Sequence, residues 1–215
     1  MLRKKIKKTN TLVIMIFSLV SISISFFIIT YKIFSKYQNE LNNDIQVEKY
    51  FEIENNTEDD VLDVNDNNDN AKTVESVKKI EENYIGILSI EKIGFQRGFY
   101  KIDSKLNNVN KNIEVLKSSN MPDVYHGNLI IAGHSGTSKT AYFKNLNKLE
   151  IGDIAKVNYQ AKTYNYELVK IYEIAKTSNA SIIRNQNKNT LTLITCKRKS
   201  NQQLIFIFEL EERGK

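Results

Sequence analysis

The sequence contains one cysteine, Cys196, so an internal disulfide is excluded. It contains only two histidines, His126 and His134. With Cys196 these make at most three ligands for a soft metal. No spacing in the sequence brings them together and no acidic partner accompanies them, so no metal and no cofactor is expected. Proline occurs once and tryptophan is absent, a bias that says little about mechanism. Charge is missing altogether from Leu12 to Tyr31. Elsewhere the net charge is +6, but much of the excess is local, with Arg3, Lys4, Lys5, Lys7 and Lys8 crowded at the N-terminus. No basic helix with interleaved aromatics follows, which argues against a nucleic-acid partner.

The uncharged run is long enough to cross a bilayer as a helix. Ser18, Ser21, Ser23 and Ser25 lower its hydropathy, yet each can hydrogen-bond back to its own helix. Five cationic residues precede the run, whereas only Lys32 and Lys36 follow closely. That asymmetry predicts a cytoplasmic N-terminus and an external remainder. A cleaved signal peptide is the alternative, but the run is long for one and no clear small-x-small site follows. The expected organisation is therefore a basic tail over 1–11, a single-pass anchor in the cell membrane over 12–31, a polar acidic linker over 32–83 and a folded domain over 84–215.

The linker reading rests on composition. Glu54 to Asn70 is almost wholly Asn, Asp and Glu, too polar to build a core. Asp63, Asn65, Asn67 and Asp69 have the spacing that opens a calcium loop. Asn68 and Val74, however, stand where glycine and a bidentate glutamate are needed, so a solvated spacer is the better account. Lys72 to Glu82 is expected to form a short helix before the domain.

Two strand-like stretches carry the chemistry. Thr190 to Cys196 alternates β-branched and aliphatic residues and ends on the thiol, just before Lys197-Arg198-Lys199. A thiol at a strand end beside positive charge has the exposure and the field that favour thiolate. Free cysteines are nevertheless usually buried as small apolar residues. The second stretch is Asn128 to Gly133, an apolar strand that runs into His134 between two glycines. A cysteine and a histidine at two strand tips, far apart in sequence, suit a nucleophile and a general acid brought together by folding. His126, in a His-Gly turn before its strand, reads as surface or structural.

The rest of the domain is read from periodicity. Strands are expected over 84–90, 95–102, 154–159, 163–174 and 204–210. The turn Gln160-Ala161-Lys162 joins two of them into a hairpin. Leu106, Val109, Ile113 and Leu116 predict a short helix over Ser104–Lys117. Tyr142, Phe143, Leu146 and Leu149 predict another over Thr140–Leu149, with the aromatics in the core. Met121-Pro122-Asp123 is a turn, and Thr177 to Asn189 a polar loop. Many short strands with few helices make the domain mainly β, an antiparallel or mixed barrel.

Three segments in this order resemble the sortases, membrane-anchored cysteine transpeptidases of Gram-positive bacteria. They are Thr192-Leu193-Ile194-Thr195-Cys196, like the family's TLxTC, the strand ending Ile131-Ala132-Gly133-His134, and Phe143 to Asp153, like its F..L..L..GD segment. The resemblance begins near Tyr84. It implies an eight-stranded barrel with the Cys and His strands flanking a groove, in which Ile130, Ala132 and Ile194 would share a face with Cys196 and His134. It implies thioacyl chemistry on the LPXTG-like sorting signal of a secreted protein, followed by transfer to an amine of a peptidoglycan precursor or a pilin. It also implies an arginine at the start of the last strand. Gln203 stands there instead, and Arg198 is the nearest arginine, with Arg97 more distant. Two other activities are compatible with this sequence: a thiol peptidase (a hydrolase passing the acyl group to water) and a groove that binds sorting signals without turnover.

Overall fold

The computed structural model describes residues 2–59, 83–176 and 182–211. The calcium-like spacing and the helix expected before the domain fall outside these residues. Helix α1 runs from Leu2 to Asp59, and the chain divides into two compact units, residues 1–42 and 43–215.

The first unit is the N-terminal part of α1. From Val13 to Tyr31 its apolar side chains are exposed, with Phe17 at 78% and Phe27 at 71%. The helix is long and apolar enough to cross a membrane. Three of its hydroxyls, on Ser18, Ser25 and Thr30, are satisfied within the helix. Ser18 Oγ donates to the Met15 carbonyl at 2.8 Å and Ser25 Oγ to the Ser21 carbonyl at 2.9 Å. Thr30 does the same toward Phe26 and Phe27, so none of these groups needs water.

The second unit begins with the end of α1, and here the structure departs from the linker reading. Val47 and Tyr50 are buried with Tyr84, Ile87 and Tyr100, and Phe51 packs beside them. Asn43 Nδ2 donates to the Gln96 carbonyl at 3.2 Å, and Tyr84 Oη donates to Asn43 Oδ1 at 3.2 Å. Val47, Tyr50 and Phe51 lie at i, i+3 and i+4, one helical stripe. The composition of 32–83 as a whole hides that stripe among charged and amide residues.

Eight strands follow: β1 Gly86–Ile90, β2 Phe95–Phe99, β3 Glu114–Val115, β4 Asn128–Ala132, β5 Ile154–Tyr159, β6 Lys162–Ala175, β7 Thr190–Cys196 and β8 Gln202–Leu210. They form one sheet in the order β2-β1-β5-β6-β8-β7-β4-β3, curled into a nearly closed barrel. Every pairing is antiparallel except β4 with β7, which is parallel. Leu88, Ile131, Leu168, Leu193, Phe206 and Phe208 belong to its fully covered core. The β5–β6 hairpin turns on Gln160 and Ala161, at φ 49° and 55°. Two successive positive φ values match the turn that follows the natural strand twist.

Side chains help to close the two sheet edges upon each other. Asn112 Nδ2 donates to the Gly98 carbonyl of β2 at 2.8 Å, and Arg97 Nε donates to Asn112 Oδ1 at 2.5 Å. The Arg97 guanidinium lies 3.6 Å from the Tyr142 ring centroid, a cation–π contact.

Both expected helices are replaced. Ser104–Lys117 is a run of turns leading into β3. Its asparagines substitute for helix bonds: Asn107 donates to the carbonyls of Ile102 and Val115 and accepts from the Val115 amide. Such side-chain bonds compete with a helix. Thr140–Leu149 keeps only a 3₁₀ turn at Leu146–Lys148. Phe143, Leu146 and Leu149 are still buried, because their spacing of three fits a 3₁₀ turn as well as an α-helix.

Candidate active site

The parallel ladder of β4 and β7 builds the site. Ile130 pairs with Thr192 and Ala132 with Ile194. Parallel strands end on the same side, so the segment after Ala132 and the end of β7 emerge together. His134 lies two residues past Ala132, and Cys196 two past Ile194. The register beyond the ladder is held by bonds across the gap. The Gly133 amide donates to the Ile194 carbonyl at 3.1 Å. Thr195 Oγ1 donates to the Gly133 carbonyl at 2.7 Å. Ser135 Oγ donates to the Cys196 carbonyl. Gly133 has a packing reason: a Cβ there would lie 2.8 Å from the Phe143 ring, too close for any larger residue.

Alternation places three rows across β4, β7 and β8 on one face. The first is Ile130, Thr192 and Ile207; the second is Ala132, Ile194 and Ile205; the third pairs Cys196 with Gln203. Ile130, Ile194, Ile205 and Ile207 are buried as one cluster, flanked by Leu116, Tyr172, Ile174 and Ile182. Asn128 closes the far end, its Oδ1 accepting from Thr190 at 3.0 Å and Thr192 at 2.9 Å. The structure thus brings Ile130, Ala132 and Ile194 together on the face that leads to Cys196, with Gln203 beside the thiol.

Cys196 is a free thiol of intermediate exposure. His134 is half-buried, and its Nε2 lies 3.2 Å from Asn110 Oδ1. Arg198 is exposed in the turn after β7. Arg97 is 6% exposed and engaged with Asn112 and Tyr142. His126 precedes β4, at the opposite end of that strand from His134. It stacks on Tyr125 at 3.7 Å, with φ at 53°. Among the described residues no three His, Cys, Asp or Glu side chains converge as a metal would require.

A family model for the sortase domain matches residues 88–211. The chain belongs to the sortase family. Solved sortases share the fold. A Clostridium perfringens sortase D5 transpeptidase is 27% identical, with a TM-score of 0.53, over 63% of this chain and 84% of that one. A lid mutant of sortase A from Corynebacterium diphtheriae is 22% identical, with a TM-score of 0.56, over 64% and 75%. Sortase C from Clostridium perfringens, solved with the C-terminal cell wall sorting motif, is 20% identical, with a TM-score of 0.53, over 62% and 74%. No curated protein matches the chain.

Three residues of this sortase domain escaped sequence reasoning. Ser135, next to His134, was legible only as part of a His-Ser-Gly run, and its bond to the Cys196 carbonyl depends on the ladder. Asn110 lies in an asparagine-rich stretch where nothing singles it out. Asn128 opens β4 and looks like a strand boundary, yet it holds two threonines of β7.

Proposed function

We propose that this protein is a membrane-anchored cysteine transpeptidase that processes the sorting signals of secreted proteins. The observation that carries the reading is the parallel β4–β7 pairing, which gathers the only thiol and His134 at neighbouring strand ends. The Cys196 thiolate attacks the scissile carbonyl of an LPXTG-like signal and forms a C–S bond and a tetrahedral oxyanion. Collapse of that intermediate breaks the C–N bond. His134, as imidazolium, gives a proton to the leaving amine, and a thioester remains. An incoming amine then attacks the thioester, His134 takes its proton, and the thiolate departs. In the imidazolium both ring nitrogens are donors. Nε2 can therefore donate to Asn110 Oδ1 while Nδ1 carries the transferable proton. Ile130, Ala132 and Ile194 receive the apolar part of the signal. The acceptor amine belongs to a peptidoglycan precursor or a pilin.

Intact mass measurement of the full chain in detergent, incubated with a sorting-signal peptide, tests this. A thioacyl adduct is expected, absent in Cys196→Ala. Adding an amine separates transfer from hydrolysis, because only a transpeptidase gives a ligated product. Gln203 beside Cys196 favours a second reading, a groove that binds the signal and turns it over slowly or not at all; peptide binding without an adduct would establish it.

The charge asymmetry about Leu12–Tyr31 sets the orientation, with the N-terminus cytoplasmic and the domain outside the cell membrane. Protease added to intact protoplasts should release the domain and spare the N-terminus.

A further inference from the structure

Arg97 sits at the middle of β2 and is 6% exposed. No carboxylate lies within ion-pair distance of it among the described residues. Its charge is met instead by an amide oxygen and an aromatic face. Nε donates to Asn112 Oδ1 at 2.5 Å, and the guanidinium lies 3.6 Å from the Tyr142 ring centroid. Replacing buried ionic side chains by apolar ones of similar volume is often neutral or stabilising. Stability alone therefore gives no reason for a cation here.

Both partners of Arg97 hold the same short segment, residues 110–112. Asn112 ends it, and Asn112 Nδ2 also donates to the Gly98 carbonyl at 2.8 Å. Tyr142 Oη donates to the Lys111 carbonyl at 3.3 Å. Asn110 begins the segment, with its Oδ1 3.2 Å from His134 Nε2. Asn110 is exposed and lies in a run of turns, outside any strand. Its side chain can orient an imidazole only where the backbone that carries it is itself fixed. On one side the Asn108 carbonyl does this, accepting from the Lys111 and Asn112 amides at 2.8 Å. On the other side the fixing groups are Arg97 and Tyr142. The circuit closes on the histidine: the Phe143 amide, next to Tyr142, donates to the His134 carbonyl at 2.9 Å. The ring and the backbone of His134 are thus held by two segments that Arg97 and Tyr142 join.

We propose that Arg97 and Tyr142 are positioning residues, which fix segment 110–112 and, through Asn110, the orientation of the His134 imidazole. Their importance for turnover rests on the transpeptidase reading above. Neither side chain needs to touch the substrate. Their effect falls on proton transfer, which depends on the direction of the ring, and not on binding of the sorting signal.

The test uses the full chain in detergent with isotope-labelled histidine rings. The chain has two histidines, and His126 precedes β4 while His134 follows it, so the His126 ring signal is an internal reference. Tyr142→Phe removes only the hydroxyl and keeps the aromatic face toward Arg97. It should lower kcat about fivefold with KM for the sorting peptide nearly unchanged, the scale of one hydrogen bond. The His134 ring signal should shift or broaden while that of His126 stays in place. Arg97→Met should do the same. In an Asn110→Ala background Tyr142→Phe should cost nothing more, because the route to His134 is already cut. A further fivefold loss in that background overturns the proposal. So does an unaltered His134 signal or an unchanged kcat in Tyr142→Phe. A lower melting temperature with an unaltered His134 signal means that the two residues serve only the barrel, and overturns it as well. Failure of the unaltered protein to form a thioacyl adduct overturns the transpeptidase reading, and the histidine spectra then still decide whether Arg97 and Tyr142 orient His134.

Discussion

Gln203 of β8 is the register partner of Cys196 of β7, the last pair of that antiparallel ladder. The side chains of such a pair project from the same face, so the Gln203 amide lies next to the thiol. An amide N–H can stabilise a developing oxyanion but brings no charge. Removing one oxyanion donor typically costs on the order of a hundredfold in turnover. Gln203→Ala should lower kcat by about that factor with KM nearly unchanged, and Gln203→Arg should raise kcat. Arg198→Ala is the informative comparison. If it abolishes turnover while Gln203→Ala has no effect, the stabilising group is the arginine in the turn.

Asn110 offers a second kinetic test. Its Oδ1 lies 3.2 Å from His134 Nε2, and a hydrogen bond of this kind contributes about 0.5–1.5 kcal/mol. Asn110→Ala should cut kcat by up to about tenfold, because the imidazole loses its fixed orientation. KM for the sorting peptide and the melting temperature should hardly move. An equal fall in thermal stability would mean that Asn110 serves the fold rather than the imidazole.

The isoleucine rows predict an effect on binding. Each buried methylene of a ligand gains about 0.8 kcal/mol, and Ala132 is the half-exposed member of those rows. Ala132→Lys should raise KM for the sorting peptide at least tenfold and leave the domain folded. Steady-state kinetics together with circular dichroism decide this. An unchanged KM would place the apolar part of the signal elsewhere.

The end of α1 predicts an effect on stability. Val47 and Tyr50 are 7% and 8% exposed, and burying each is worth about 1.5–3 kcal/mol. A domain beginning at Tyr84 should therefore unfold at markedly lower denaturant concentration than one beginning at Asn43. Tyr50→Ala in the longer form should cost on the order of 2–3 kcal/mol. Equal midpoints for the two forms would show that the helix end adds nothing to the domain.

Strands were legible where alternation was strong. Thr190–Cys196 and Ile154–Tyr159 have the bounds that their patterns suggest, while the parallel pairing that makes two strand tips neighbours is visible only in the fold. The failures have specific physical origins. Around Asn107 the apolar spacing looked helical, but amide side chains took over the backbone's bonds. Around Phe143 the same spacing served a 3₁₀ turn. The stripe Val47-Tyr50-Phe51 was too short to stand out within a polar segment. Asn110 and Ser135 carried no local signal, because their partners are supplied by chain closure and not by neighbours in sequence.

The ladder between β4 and β7 separates two demands that a catalyst must meet. The positions of His134 and Cys196 are tied to matched hydrogen bonds between two strands that lie far apart in sequence. Within the connection between them Ser135, Phe143, β5 and β6 are tied into the barrel, whereas its exposed loops are free to change their side chains without moving the two strand ends. The surface around the two strand ends can thus drift, or be grafted from another chain, while their alignment stays as it is.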